Sequence, residues 1–183
     1  MIYTGYVTLP TTTYNDWRSA TINNYFDADQ AYQYQCWDLV AEFYWNIGFP
    51  TGYPLTGPNG YAYECWSVSR NSNVGHGISL VYDITTIKRG DIIVINQTAQ
   101  IPTGHIGFAD EDYNSTGYIN ILGQNQIIGD QVTCVTNWYI ADKFLGVFRY
   151  DPWNIPPGPG PWQRGKFPWV LYARKLRDKC IDK

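Results

Sequence analysis

Histidine is nearly absent from this chain, with two in 183 residues, and methionine occurs once. Cysteine is sparse as well: Cys36, Cys65, Cys134 and Cys180 lie far apart, with no Cys-x-x-Cys pair. That spacing signals neither a zinc site nor a disulfide-framework domain, although a Cys65–Cys134 bridge stays open. No apolar run approaches the ~20 residues of a membrane span, and no N-terminal stretch has the make-up of a secretory signal. The expectation is a soluble chain without a membrane span. Charge is low, at 16% of residues, and unevenly placed. Residues 1–162 hold 6 Lys/Arg against 14 Asp/Glu, a balance of −8, whereas residues 163–183 hold 7 against 2, a balance of +5. An acidic body excludes general nucleic-acid binding and leaves only the basic end for an anionic partner.

Aromatic residues are what the chain has in abundance, with 16 tyrosines and 8 tryptophans, and they suit an aromatic core or a surface that stacks on sugars and peptides. A hydrophobic fraction of 44% over this length is enough for one domain and a short extension. Residues 1–26 read as an arm, with a short helix near Asn15–Tyr25. Apolar residues then recur at helical spacing from about Gln30 to Ile47 (Tyr32, Cys36, Leu39, Val40, Phe43, Ile47), and Gly48 ahead of Phe49-Pro50 supplies the stop. A second, shorter helix is expected over Ala62–Arg70. Strands are expected at Asp91–Ile95, His105–Ala109, Tyr118–Leu122, Gln131–Thr136 and Leu145–Tyr150. Helices followed by strands predict an α+β fold with an antiparallel sheet over residues 27–150. After Tyr150 a Pro- and Gly-rich run opens a linker and basic tail, residues 151–183, holding Trp153, Trp162 and Trp169.

Chemistry concentrates at a few positions. Cys36 stands in Gln35-Cys36-Trp37-Asp38-Leu39, where a helix N-terminus favours the thiolate. His105, in Gly104-His105-Ile106-Gly107, follows 69 residues later, and Asn125, in Ile121-Leu122-Gly123-Gln124-Asn125, another 20 residues on. This is the order of a cysteine amidase whose nucleophile lies on a helix while its base and an orienting amide lie on the facing sheet. Taken singly, each fits a duller role: a buried helix cysteine, a turn histidine, a strand-end asparagine. His76 reads as a loop residue, and Trp37 as either core or cleft wall. Asp27, Asp29 and Asp38 flank the cysteine in a pattern that suits a hard cation, although Asp27 or Asp29 would equally cap a helix beginning near Gln30.

At these residues, and at Arg89-Gly90-Asp91-Ile92-Ile93-Val94, the chain resembles the CHAP family, the cysteine- and histidine-dependent amidohydrolases/peptidases of phage lysins and bacterial cell-wall enzymes. The resemblance spans roughly residues 25–150. It implies a papain-like CHAP fold, with N-terminal helices packed on an antiparallel sheet and the nucleophile at a helix N-terminus. It also implies that Cys36 attacks an amide carbonyl, that His105 moves the proton, that Asn125 orients His105, and that Gln35 with the Cys36 N–H forms the oxyanion hole. One departure is Gly123, where many members carry a glutamate. In some phage members an Asp-x-Asp seven residues before the cysteine and an Asp two after it bind one structural calcium ion. On that analogy Asp27, Asp29 and Asp38 give side-chain oxygens, and Ala31 and Gln33 add backbone or amide oxygens.

The function so implied is peptidoglycan hydrolysis at an amide bond, either in the stem peptide or cross-bridge or between N-acetylmuramoyl and L-alanine. The source would be a phage lysin or a virion-associated lytic protein, located in the virion or in the host cytoplasm before release to the wall. Residues 151–183 are then a docking segment for the wall or another phage protein. The alternative is a catalytically inactive CHAP-fold virion component that binds wall or a partner protein, an idea that draws on Gly123. A cytosolic amidase acting on a small peptide-like substrate is a third reading.

Overall fold

The computed structural model describes residues 1–126 and 132–154. In chain order the elements are β1 (Ile2–Thr4), α1 (Tyr14–Thr21), β2 (Tyr25–Asp27), α2 (Cys36–Asn46), α3 (Glu64–Ser67), β3 (Ile78–Val81), β4 (Ile92–Ile95), β5 (His105–Ala109), β6 (Tyr118–Gly123), β7 (Cys134–Tyr139), β8 (Phe144–Tyr150) and α4 (Asp151–Asn154). Strands β3 to β8 form a six-stranded sheet in the order β3-β8-β4-β5-β6-β7, and every neighbouring pair is antiparallel. The expected α+β architecture is the one observed.

The sheet is apolar on both faces at its centre, which is why all four residues of β4 are buried. On one face Ile92, Val94, Ile106, Phe108, Leu122 and Phe148 meet Leu39, Val40, Phe43 and Tyr44 of α2. On the other, Ile93, Ile95, Ala109, Ile119, Ile121 and Val147 make a second layer with Ile87 and Ile140. Phe43 is wholly buried, its ring 5.3 Å from those of Trp17 and Phe108. Burial of a side chain of that size stabilises the fold by about 2–3 kcal/mol.

Helix α2 ends in a Schellman arrangement: the Phe49 N–H reaches the Tyr44 carbonyl, the Gly48 N–H reaches that of Trp45, and Gly48 adopts φ +102°. Its start differs from the expectation. The helix begins at Cys36 rather than near Gln30, because Gln30, Tyr32 and Gln33 all take positive φ and wind the chain into a loop. Tyr32, counted by spacing as a core position, is exposed.

Residues 1–26, read as an arm, supply part of the core. β1 runs parallel to β2, with the Tyr3 ring stacked on Phe26, and Trp17 of α1 is fully buried. The short helix expected at Asn15–Tyr25 is α1, shifted to Tyr14–Thr21 and capped by the Thr13 hydroxyl, which accepts from the Asp16 N–H. α3 is shorter than the Ala62–Arg70 expected, β3 was not foreseen, and β7 sits further along the chain than Gln131–Thr136. Residues Met1–Trp153 form one compact unit. Trp153 belongs to it, its indole N–H donating to the Thr11 carbonyl. The linker and tail from residue 155 on, with Trp162, Trp169 and Cys180, lie outside the described residues.

Candidate active site

The first turn of α2 is held from both sides of the chain. Asp38 reaches back to accept the Gln35 N–H at 2.6 Å through one carboxylate oxygen and the Ala28 N–H at 3.0 Å through the other. Gln124, fully buried just after β6, accepts from the Phe26 N–H and donates to the carbonyls of Phe26 and Gln35. These contacts tie β2 and the helix start to the sheet, and so set the position of Cys36. The Cys36 thiol is hydrogen-bonded by the backbone of Ile106, the residue after His105. The start of α2 thus meets β5 one residue beyond His105.

Their protonation differs from the sequence expectation. Burial pushes the Cys36 thiol up to about 11, and the hydrogen bonds from Ile106 and from the first N–H groups of the helix offset only part of that. Burial likewise pushes His105 down to about 4, against a weaker opposing influence from a hydrogen bond with Gln126. At neutral pH both groups are therefore neutral. The helix N-terminus assists the thiolate, but desolvation outweighs it.

His105 is buried, and its ring stacks on Trp138 of β7 at 4.6 Å between centroids with an interplanar angle of 12°. Its Nε2 is buried with no hydrogen-bond partner. Asn125, expected to orient this ring, meets Gln35 in this structure: it is exposed, takes φ +53°, and donates through Nδ2 to the Gln35 side-chain oxygen at 3.3 Å. The side chain that acts on His105 belongs to the next residue, Gln126, whose influence opposes that of burial. The left-handed turn at Asn125 causes this exchange, sending residue 125 toward the helix start and residue 126 back under the sheet. Gln35 also donates through Nε2 to the Tyr32 carbonyl at 2.6 Å, which fixes its carboxamide beside the cysteine.

Asp27, Asp29 and Asp38 come together as well, with one carboxylate oxygen from each lying within 4.8 Å of the others. That separation is about twice a Ca–O distance of ~2.4 Å, so one cation can touch all three. Oδ1 of Asp27 is buried and has no hydrogen-bond partner. Asp38 is pushed up to about 8, first by burial, with the charges of Asp29 and Asp27 adding to it. An orphaned oxygen and mutually repelling carboxylates are what a hard cation relieves, so the donor set fits one. Ala31 and Gln33 stand in the wound loop between these acids, and the Ala31 N–H donates to Asp29. A cavity of about 200 Å³ opens over this region, lined by Asp29, Tyr32, Gln35, Cys36, Trp37 and Thr103 among others.

The remaining candidates take structural parts. His76 packs its ring against Phe49 at 4.6 Å. Cys65 and Cys134 are free thiols, so the bridge left open between them is not formed. Trp37 does both things expected of it, packing on the core and lining the cavity, and its indole N–H donates to the Pro54 carbonyl. Sequence reasoning missed Gln124, Gln126 and Trp138. Two polar residues flanking Asn125 at the end of an apolar strand were the available signal for the glutamines, and Trp138 carried none.

Comparison with known proteins agrees with this geometry. The CHAP domain family profile matches residues 25–125. A D-alanyl-L-alanine endopeptidase of Streptococcus phage B30 is 31% identical over 116 residues, which is 62% of this chain but only 25% of that protein. Among solved structures, the wild-type endolysin LysIME-EF1 superposes with a TM-score of 0.57 at 23% identity, covering 75% of this chain and 64% of the other. A structure of Ly7917 with the hydrolysing product of MDP gives a TM-score of 0.53 at 14% identity, over 76% and 62%. These two likenesses show a shared fold. With the family's profile matched over residues 25–125, more than half of this chain, the chain belongs to the CHAP domain family.

Proposed function

We propose that this protein is a peptidoglycan hydrolase of phage origin that cleaves an amide bond in the peptide part of the wall by a Cys-His mechanism. The observation that carries the reading is Cys36 at the N-terminus of α2, on a cavity wall and hydrogen-bonded by the backbone of Ile106, the residue that follows His105 in β5. The resemblance to a phage D-alanyl-L-alanine endopeptidase supports the substrate class.

The thiol and imidazole are both neutral at rest, so the reaction begins with transfer of the Cys36 proton to Nε2 of His105. Sulfur attacks the scissile carbonyl carbon, and the oxyanion that forms is met by the Cys36 N–H and by Gln35. Removing one such donor typically costs ~3 kcal/mol of transition-state stabilisation. His105 then gives its proton to the departing amine, and water, deprotonated by the same ring, clears the acyl-enzyme. Asp27, Asp29 and Asp38, with oxygens from Ala31 and Gln33, would hold a structural Ca²⁺. Its charge would neutralise those carboxylates and stiffen the loop that leads into Cys36. In the same reading the protein acts from the virion, or from the host cytoplasm before release to the wall, and residues 151–183 dock on wall or on another phage protein.

The test is release of free amines and reducing ends from purified Gram-positive cell walls by wild type and by Cys36→Ala. Amines from the wild type alone, without reducing ends, are expected. Equal release by a well-folded Cys36→Ala removes the mechanism, and no release from several wall types removes the function.

A further inference from the structure

Gly123 ends β6 with no side chain, yet the volume next to it is filled. A Cβ placed on Gly123 would lie 3.0 Å from Cδ and 3.2 Å from Oε1 of Gln126, so the Gln126 carboxamide stands where a side chain from position 123 would project. Its orientation is unambiguous. Nε2 faces the carbonyl oxygens of Ile121 at 3.0 Å, Gly123 at 3.2 Å and Cys134 at 2.6 Å, a setting that an oxygen could not occupy without repulsion. Oε1 must therefore point the other way, where it accepts the Trp138 indole N–H at 2.8 Å. The ring of that same tryptophan covers His105.

A carboxamide oxygen has two lone pairs, and Trp138 uses one. We propose that Gln126 is the positioning residue of this site: its second lone pair accepts the Nδ1–H of His105, holding the ring in the tautomer whose Nε2 lone pair is open to take the Cys36 proton. Nε2 of His105 has no partner, which leaves Nδ1 to meet Gln126, and Gln126 opposes the lowering of the ring's pKa that burial causes. Trp138 completes the device by fixing the amide through its N–H and shielding the ring with its face. Gly123 is then no defect, since a side chain there would collide with the group that does this work.

The inference rests on His105 being the base of the proposed hydrolase, and it is tested apart from activity. With two histidines in the chain, long-range ¹H–¹⁵N spectra of wild type and of His76→Asn assign His105 directly. The neutral ring is expected to carry its proton on Nδ1 in the wild type, and to shift toward Nε2–H in Gln126→Ala. Turnover of purified peptidoglycan by Gln126→Ala should fall about 10²-fold in kcat with KM little changed. Adding Gly123→Glu to that variant should recover at least about tenfold, because a carboxylate then enters the vacated volume. Gln126→Glu keeps the packing and should raise the acid limb of kcat/KM. An Nε2–H ring in the wild type overturns the proposal whatever the activity, as does an unchanged kcat in folded Gln126→Ala or an unmoved acid limb in Gln126→Glu. A wild type that shows the Nδ1–H ring but hydrolyses no wall would overturn the hydrolase reading and leave the placement of Gln126 standing.

Discussion

Alkylation of Cys36 as a function of pH separates two resting states of a cysteine hydrolase, a preformed thiolate–imidazolium pair and a neutral pair. The structure favours the neutral pair, since burial pushes the thiol from an ordinary 9.0 up to about 11 and the imidazole from 6.5 down to about 4. A two-unit rise leaves ~100-fold less thiolate at pH 7 than in an ordinary cysteine. The iodoacetamide rate at Cys36, followed by mass spectrometry of its tryptic peptide, should therefore be about 10²-fold below that of a free thiol at pH 7. It should climb roughly tenfold per pH unit from about pH 6 to about pH 10. His105→Ala should leave that profile in place while abolishing hydrolysis, because the ring acts only once the proton moves. A shoulder or plateau of reactivity below pH 8 that disappears in His105→Ala would refute the reasoning. It would mean that the ion pair exists at rest and that burial at this site costs far less than argued.

Three other outcomes are expected. His105 binds a proton more weakly folded than unfolded, so its share of stability is present above pH 6.5 and is lost as pH falls toward 4. The loss amounts to about 3 kcal/mol in urea titrations of wild type relative to His105→Gln, and equal pH dependence in the two would contradict it. Gly146→Ala should cost about 1–3 kcal/mol, because the new methyl would fall inside the ring of buried Trp66, and a melting temperature unchanged from wild type would show that the ring moves aside freely. Calcium at about 100 times its Kd should add about 2.7 kcal/mol of stability, and chelator should remove it. Asp27→Asn should abolish that difference, and a melting temperature indifferent to calcium and chelator would dispose of the cation.

Much of the site was legible because its chemistry rests on rare residues. With two histidines and four cysteines, Cys36 and His105 stood out by order, and His105 also by Gly104 and Gly107 around it. Strand β4 was legible because a central strand buried on both faces must be a continuous apolar run. The beginning of α2 was not. Tyr32 continues the helical period, and nothing local reveals that three neighbouring residues take the left-handed conformation. β1 and β2 escaped notice because three-residue strands carry too little period to register, and their pairing is settled by Gln124 and by the Tyr3–Phe26 stack.

The sequence by itself determined the α+β class, the candidate nucleophile and base, the acidic trio and the family, since each depends on residue type and order along the chain. Tertiary structure decided which amide serves His105 and which protonation states Cys36 and His105 hold. Asn125 and Gln126 are chemically near-equivalent neighbours, and only the left-handed turn between β6 and the following segment sends one to Gln35 and the other to His105. The thiol and the imidazole are neutral for an equally non-local reason, because desolvation comes from every element packed around them and appears nowhere in the order of the residues.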